Sequence, residues 1–126
     1  MPVSDNAIDA AIDLIAGVPG LEMDADDLAD DVVLMSLAWP DEAEFLKAAS
    51  ATERAMRQLS AGTVSAAPLK HDLAGWFSYH YQHARAQGSR ADMRIAFRTV
   101  EGGIRVRAFG HRDVPTDFYR RIATSR

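Results

Sequence analysis

The sequence contains no cysteine, which excludes disulfide bonds and thiolate metal sites from this chain. No apolar run approaches the roughly 20 residues that span a bilayer, so we expect no contact with a membrane. The first residues are acidic where a secretory signal would be basic. Because reducing compartments favour chains without disulfides, these absences predict a cytoplasmic protein. The four histidines include no His-x-x-x-His pair, and we predict neither a metal site nor another cofactor.

Residues 1–31 contain no lysine or arginine. They hold nine of the 18 acids, so the remaining 95 residues, with nine acids and all 14 bases, have a net charge of +5. Such asymmetry favours a body that binds polyanions, preceded by an acidic segment that masks it or interacts with it. The alternative is a solvated acidic surface that keeps the protein soluble.

The acidic segment contains one short amphipathic helix. Apolar residues recur there at i, i+3, i+4 and i+7, namely Ile8, Ala11, Ile12 and Ile15, and Gly17 to Gly20 end the pattern. We therefore divide the chain into an N-terminal extension, 1–31, and a body, 32–126. One hypothesis is that the extension contacts the basic body within the same chain, and the alternative is that it extends the core.

The body has the pattern of an α+β domain. The apolar run 32–37 predicts a buried strand, and Trp39-Pro40-Asp41-Glu42 predicts the start of a helix that ends at Gly62. Further strands are predicted at 76–81, 93–98 and 104–109, the last two joined by a hairpin turn, and a final short helix begins at Pro115 or Thr116. This order predicts a small antiparallel sheet with helices packed on one face. The other face is expected to carry Arg94, Arg98, Arg105 or Arg107, and the aromatic residues of the 76–81 strand.

Four motifs occur in an order that is similar to the RelE/ParE toxin superfamily. They are the opening strand with Trp39–Ala43, the segment PLKHDLAGWFS at 68–78, the segment MRIAF at 93–97, and Gly110-His111-Arg112 followed by Tyr119. The resemblance covers roughly 95 residues. It implies a RelE/ParE-like fold for the body, with the acidic extension in front of it.

The resemblance also implies a function. It describes a toxin of a type II toxin–antitoxin system, a ribosome-dependent endonuclease that cuts messenger RNA when a ribose 2′-oxygen attacks the adjacent phosphorus. Its implied partners are a cognate antitoxin protein, the ribosome and mRNA. Arg94 and Arg112 match the cations that stabilise the phosphorane, and Tyr119 matches a residue that orients RNA or moves a proton. Arginine suits the first role because its planar group is always charged.

The chain departs from the family where lysine or glutamate is expected. The strand after the glycine has Tyr79, His80, Tyr81 and His83 instead of lysines, and Ala67 stands where one branch has glutamate. Histidine suits acid–base work at neutral pH, so we add His111 to the catalytic candidates. At the end of a strand His111 is equally a capping residue. The predicted RNA-binding residues are Arg98, Tyr79, His80, Tyr81, His83 and Lys70, although aromatic residues in strands often serve only packing.

These departures leave two other functions open. A ParE-like member would poison DNA gyrase by protein contact and cut no RNA. A catalytically inactive relative would serve as a binding module.

Overall fold

The computed structural model describes residues 2–125, and its first element is the expected amphipathic helix. Helix α1 spans Asp5–Ala16, and the hydroxyl of Ser4 caps it by accepting from the Ala7 amide at 3.1 Å. The helix buries Ala7, Ala11 and Ile15. Because α1 packs on α2 and α3, the extension contributes directly to the core.

Helix α2 spans Ala25–Ala38, so the strand that we predicted over 32–37 is wrong. The carboxylate of Asp24 caps the helix at the Asp27 amide, and the buried residues Leu28, Asp31, Val32 and Met35 follow helical spacing. The run 32–37 alone does not reveal this helical spacing, because the buried positions of the helix begin four residues earlier, at Leu28. The sequence-based division between residues 31 and 32 falls inside α2.

Helix α3 spans Glu42–Ala61 without a break. The Asp41 carboxylate accepts from the Glu44 amide at 3.1 Å, and Gly62 ends the helix in the left-handed conformation with φ of 73°. Its buried residues include Phe45, Ala49, Thr52, Met56 and Leu59, which lie on one face of the helix.

The sheet has five strands in the order β1-β5-β4-β3-β2. The strands are β1 at Leu21–Glu22, β2 at Ala67–Pro68, β3 at Phe77–Tyr81, β4 at Met93–Val100 and β5 at Gly103–His111. All pairs are antiparallel except β1 with β5, which is parallel. A 3-10 turn at His71–Leu73 precedes β3. Among the described residues, no helix is both long and apolar enough to cross a bilayer.

The final helix, α4, spans Phe118–Ser125 and packs on the opposite face of the sheet from α1, α2 and α3. The expectation of helices on one face is therefore only partly correct. Small residues on this face, Ala96 and Ala108, leave space for Phe118 and Ile122, which are one helical turn apart. A second, smaller core results, and it places Tyr119 over the sheet.

A buried ion pair fastens α4 to α2. The Asp31 carboxylate is fully buried and accepts from the Arg121 guanidinium and from the Phe109 amide, both at 3.0 Å. Arg121 also donates to the Phe109 carbonyl at 3.4 Å. Asp31 and Arg121 therefore form hydrogen bonds with the backbone N–H and C=O of Phe109, in a part of β5 beyond the residues that pair with β1.

Candidate functional site

The candidate site lies on the α4 face of the sheet, where His80 on β3 stands beside Arg94 on β4. The two residues are direct cross-strand partners. Side chains alternate between faces along a strand, so Arg94 shares the face of Ala96, which packs under α4. The strand register thus brings together two residues that are 14 positions apart in the sequence.

Tyr119 links α4 to this pair through its hydroxyl. The Tyr119 Oη lies 2.7 Å from Ser78 Oγ and 3.1 Å from His80 Nε2. Ser78 is buried, whereas His80 is exposed. A hydrogen-bonded chain therefore runs from a buried serine through a tyrosine to a solvent-facing imidazole.

The surroundings of His80 favour its neutral form. Partial burial lowers the pKa of His80 below its usual value, and the positive charge of Arg94 lowers this pKa further. In the neutral ring one nitrogen is able to accept a proton. Because the Tyr119 hydroxyl lies beside Nε2, Nδ1 is the nitrogen that remains as the proton acceptor.

Arg94 is a buried cation with few partners. The residue is 7% exposed, and its Nη1 donates to the carbonyls of Ala91 and Met93, both at 2.9 Å. Its Nε is buried without a hydrogen-bond partner, and no carboxylate among the described residues pairs with it. The guanidinium is thus held in position without being neutralised.

A second histidine cluster forms where β3 ends. His83 Nδ1 lies 2.6 Å from Asp92 Oδ2, and His83 Nε2 lies 3.0 Å from Glu44 Oε2. The imidazole also packs on Trp39, with ring centroids 4.5 Å apart. These contacts tie the segment after β3 to the start of α3, and both ring nitrogens are occupied.

His111 belongs to this second cluster and not to the site around His80. Its Nδ1 accepts from the amides of Asp113 and Val114 at 2.9 and 3.1 Å, so it caps the turn after β5. Its ring meets the edge of Trp39 at 5.3 Å. Burial is the main cause that lowers the pKa of His111.

The two predicted tyrosines of β3 face α3. The hydroxyl of Tyr81 lies 2.8 Å from the buried Thr52 Oγ1, and Tyr79 stacks on Tyr81 with centroids 6.0 Å apart. Both pack against the main core, on the side of the sheet opposite His80. Burial raises the pKa of the Tyr81 phenol, which excludes its deprotonation at neutral pH.

The remaining predicted residues are Arg112, Lys70 and Arg98, and the contacts of these residues do not involve His80. Arg112 Nε is 3.2 Å from Asp113 Oδ2, and Lys70 is exposed just before the 3-10 turn. Arg98 lies over the Trp76 ring at 4.6 Å, and Arg107 lies 5.4 Å from the same ring. Trp76 is half-buried beneath these arginines.

Ser78 is the site residue that sequence reasoning missed. It stands two positions before His80, so strand alternation puts both side chains on one face. That spacing was available in the sequence. The missing information was the position of α4, which alone shows that Tyr119 meets both residues.

No family model matches the chain, and no curated protein or solved structure is significantly similar to it. Within residues 2–125, no group of three or more histidines and carboxylates has the geometry of a metal site. Membership of the RelE/ParE superfamily therefore stays a prediction.

Proposed function

We propose that the protein is an RNA endonuclease whose reaction centre is His80, Tyr119 and Arg94. The observation that carries this proposal is the 3.1 Å contact between His80 Nε2 and Tyr119 Oη beside the unneutralised Arg94. An imidazole and a phenol in contact provide a proton acceptor and a proton donor at adjacent points. Cleavage by a 2′-oxygen needs both groups.

In the proposed reaction, His80 Nδ1 takes the proton of the ribose 2′-hydroxyl as the 2′-oxygen bonds to phosphorus. The bond from phosphorus to the 5′-oxygen then breaks. Tyr119 gives its proton to that oxygen and is reprotonated from His80 Nε2, so the proton count balances. The products are a 2′,3′-cyclic phosphate and a 5′-hydroxyl. Each proton transfer contributes roughly 10²–10⁴-fold to the rate.

Arg94 has two roles in this scheme. Together with burial, which is the larger cause, its charge lowers the pKa of His80 and so favours the unprotonated base. A fixed guanidinium also stabilises the additional negative charge of the phosphorane, since a preorganised charge need not reorient during the reaction. Its two hydrogen bonds to backbone carbonyls keep this side chain in one conformation.

The same site supports the narrower proposal of a RelE/ParE-like toxin that cuts mRNA on the ribosome and is held inactive by an antitoxin. Arg94 and Tyr119 are two of the three residues that match the superfamily's site, and both are neighbours of His80. Arg112 is then assigned to binding of the RNA backbone. In this proposal His80 replaces the lysines that the family carries on the equivalent strand.

The test is induction of the full-length protein in a bacterial host, with growth measurements and primer extension on a translated message. We would compare the wild type with His80→Gln, Tyr119→Phe and Arg94→Gln. Matched controls are His71→Asn and Arg90→Gln, which alter exposed residues outside the site. Thermal melting of each purified variant shows that it is folded.

Growth arrest with new cuts in the message, lost in the three site variants and kept in both controls, would support the proposal. Arrest without cuts would replace it with the gyrase alternative. Absence of arrest from the wild type would favour an inactive binding module.

A further inference from the structure

A groove lies between α3 and the end of β3, on the face opposite His80. Its volume is about 850 Å³. The α3 side presents small and apolar residues, including Ala43, Leu46, Ala51 and Ala55, and Tyr79 forms part of the opposite wall. Leu46 is 42% exposed, so the groove presents apolar surface to solvent.

All formal charges among the described lining residues are positive. They belong to Lys47, Arg54 and Arg85. Lys47 contacts Glu44 at 3.2 Å, whereas neither Arg54 nor Arg85 forms an ion pair within the described part of the chain. The groove therefore suits an occupant that combines apolar side chains with carboxylates.

The chain itself displays such a surface on α2. Asp26, Asp30, Val33 and Leu37 follow one another at i, i+4, i+7 and i+11, which places them along one stripe of the helix. All four are exposed, Val33 to 46% and Leu37 to 58%. The stripe therefore combines carboxylates with apolar side chains, the two kinds of group that the groove is suited to bind.

We propose that the protein self-associates by docking the α2 stripe of one copy into the α3–β3 groove of a second copy. Asp26 and Asp30 then meet the cations of the groove, and Val33 and Leu37 cover its apolar wall. This proposal is independent of the proposed RNA cleavage, since neither surface contains His80, Arg94 or Tyr119.

The dimensions of the two surfaces agree. At 1.5 Å per helical residue, the stripe from Asp26 to Leu37 is about 17 Å long, and the groove wall from Ala43 to Gln58 is about 23 Å long. The stripe thus fits within the groove along its whole length.

Complementary charge reversal tests the proposal, with sedimentation velocity over a wide range of protein concentration as the readout. One variant, Arg54→Glu with Arg85→Glu, gives an acidic groove and keeps the acidic stripe. The other, Asp26→Lys with Asp30→Lys, gives a basic stripe and keeps the basic groove. Each variant alone should self-associate about tenfold or more weakly than the wild type.

A mixture of the two variants should restore association, because each groove then meets a stripe of opposite charge. Arg90→Glu and Asp13→Lys, two reversals elsewhere on the surface, should leave the wild-type constant unchanged. Recovery in the mixture distinguishes lost contacts from lost folding, which circular dichroism checks separately.

A wild type that stays monomeric at the highest concentration would overturn the proposal, as would a mixture that stays monomeric. A monomeric wild type whose groove binds an added acidic amphipathic peptide would also overturn it, and would assign the groove to a different protein.

Discussion

Replacing Asp31 with asparagine should destabilise the protein strongly, although Asp31 lies in an acidic segment that resembles solvated surface. Its carboxylate is fully buried and accepts hydrogen bonds from the Arg121 guanidinium and from the Phe109 amide. Asparagine has nearly the same shape but offers one acceptor oxygen and an NH₂ group. One of the two donors would therefore face another donor.

The magnitude follows from the burial of both partners. The Arg121 side chain is 13% exposed, so the substitution removes the charge of a partner from this cation in a site that excludes most water. Breaking one side of such a pair costs about 3–5 kcal/mol in the free energy of unfolding. For a chain of this size the melting temperature should fall by roughly 10–20 °C.

Urea unfolding followed by circular dichroism measures this loss, with Asp30→Asn as the control, because Asp30 is the exposed neighbour on the same helix. The double replacement of Asp31→Leu with Arg121→Met should cost less than the sum of the two single changes, since it leaves no buried charge. A loss below about 1 kcal/mol for Asp31→Asn would refute the reasoning, because it lies in the range of ordinary surface changes.

Three further predictions concern the sheet and the site. Gly103→Ala should lower the free energy of unfolding in urea by about 2 kcal/mol or more, because the new Cβ would overlap the Gly20 carbonyl where β1 meets β5. The control Gly88→Ala, in an open turn, should lower it by less. Tyr81→Phe should lower the free energy of unfolding by about 1 kcal/mol. Because Thr52 Oγ1 donates to the Ala48 carbonyl, it accepts from the Tyr81 hydroxyl, and the substitution removes that donor. An unchanged unfolding midpoint would contradict this prediction. The rate of RNA cleavage should rise with pH as His80 deprotonates, because burial and the charge of Arg94 both lower the pKa of His80 and keep the base neutral to lower pH. Arg94→Gln should move this limb to higher pH, and a limb that Arg94→Gln leaves unmoved would contradict His80 as the base.

Local sequence patterns predicted the elements that have a regular period and clear ends. The α3 helix has an aspartate cap, a buried stripe and a terminal glycine. The β4–β5 hairpin has a glycine turn between two strands with alternating residues, and a register shift between Ala96 and Phe97 interrupts its pairing. The run 32–37 failed because β-branched residues also occupy buried helix positions when a helix packs on a sheet. Burial of Asp31 could not be predicted locally, because its partner Arg121 is 90 residues away.

Three residues of the candidate site were predicted as candidates from the sequence, whereas Ser78 and the geometry of the site were not. His80, Arg94 and Tyr119 were all candidates from residue type and motif position. Their contact depends on α4 crossing the sheet over Ala96 and Ala108, which is a packing preference between distant segments. The burial of Tyr81 was unpredictable for the same reason. Alternation along β3 shows that Tyr81 and His80 face opposite sides of the sheet, but it does not show which side α3 covers.

The most direct test of the central claim is the chemistry of the RNA ends in a translating extract supplied with a reporter message. Wild-type protein should produce fragments with 2′,3′-cyclic phosphate and 5′-hydroxyl ends, and Tyr119→Phe should lower the cleavage rate by about 10²-fold or more. An intact message, fragments with 3′-hydroxyl ends, or full activity of His80→Gln would contradict the assignment of this site to RNA cleavage.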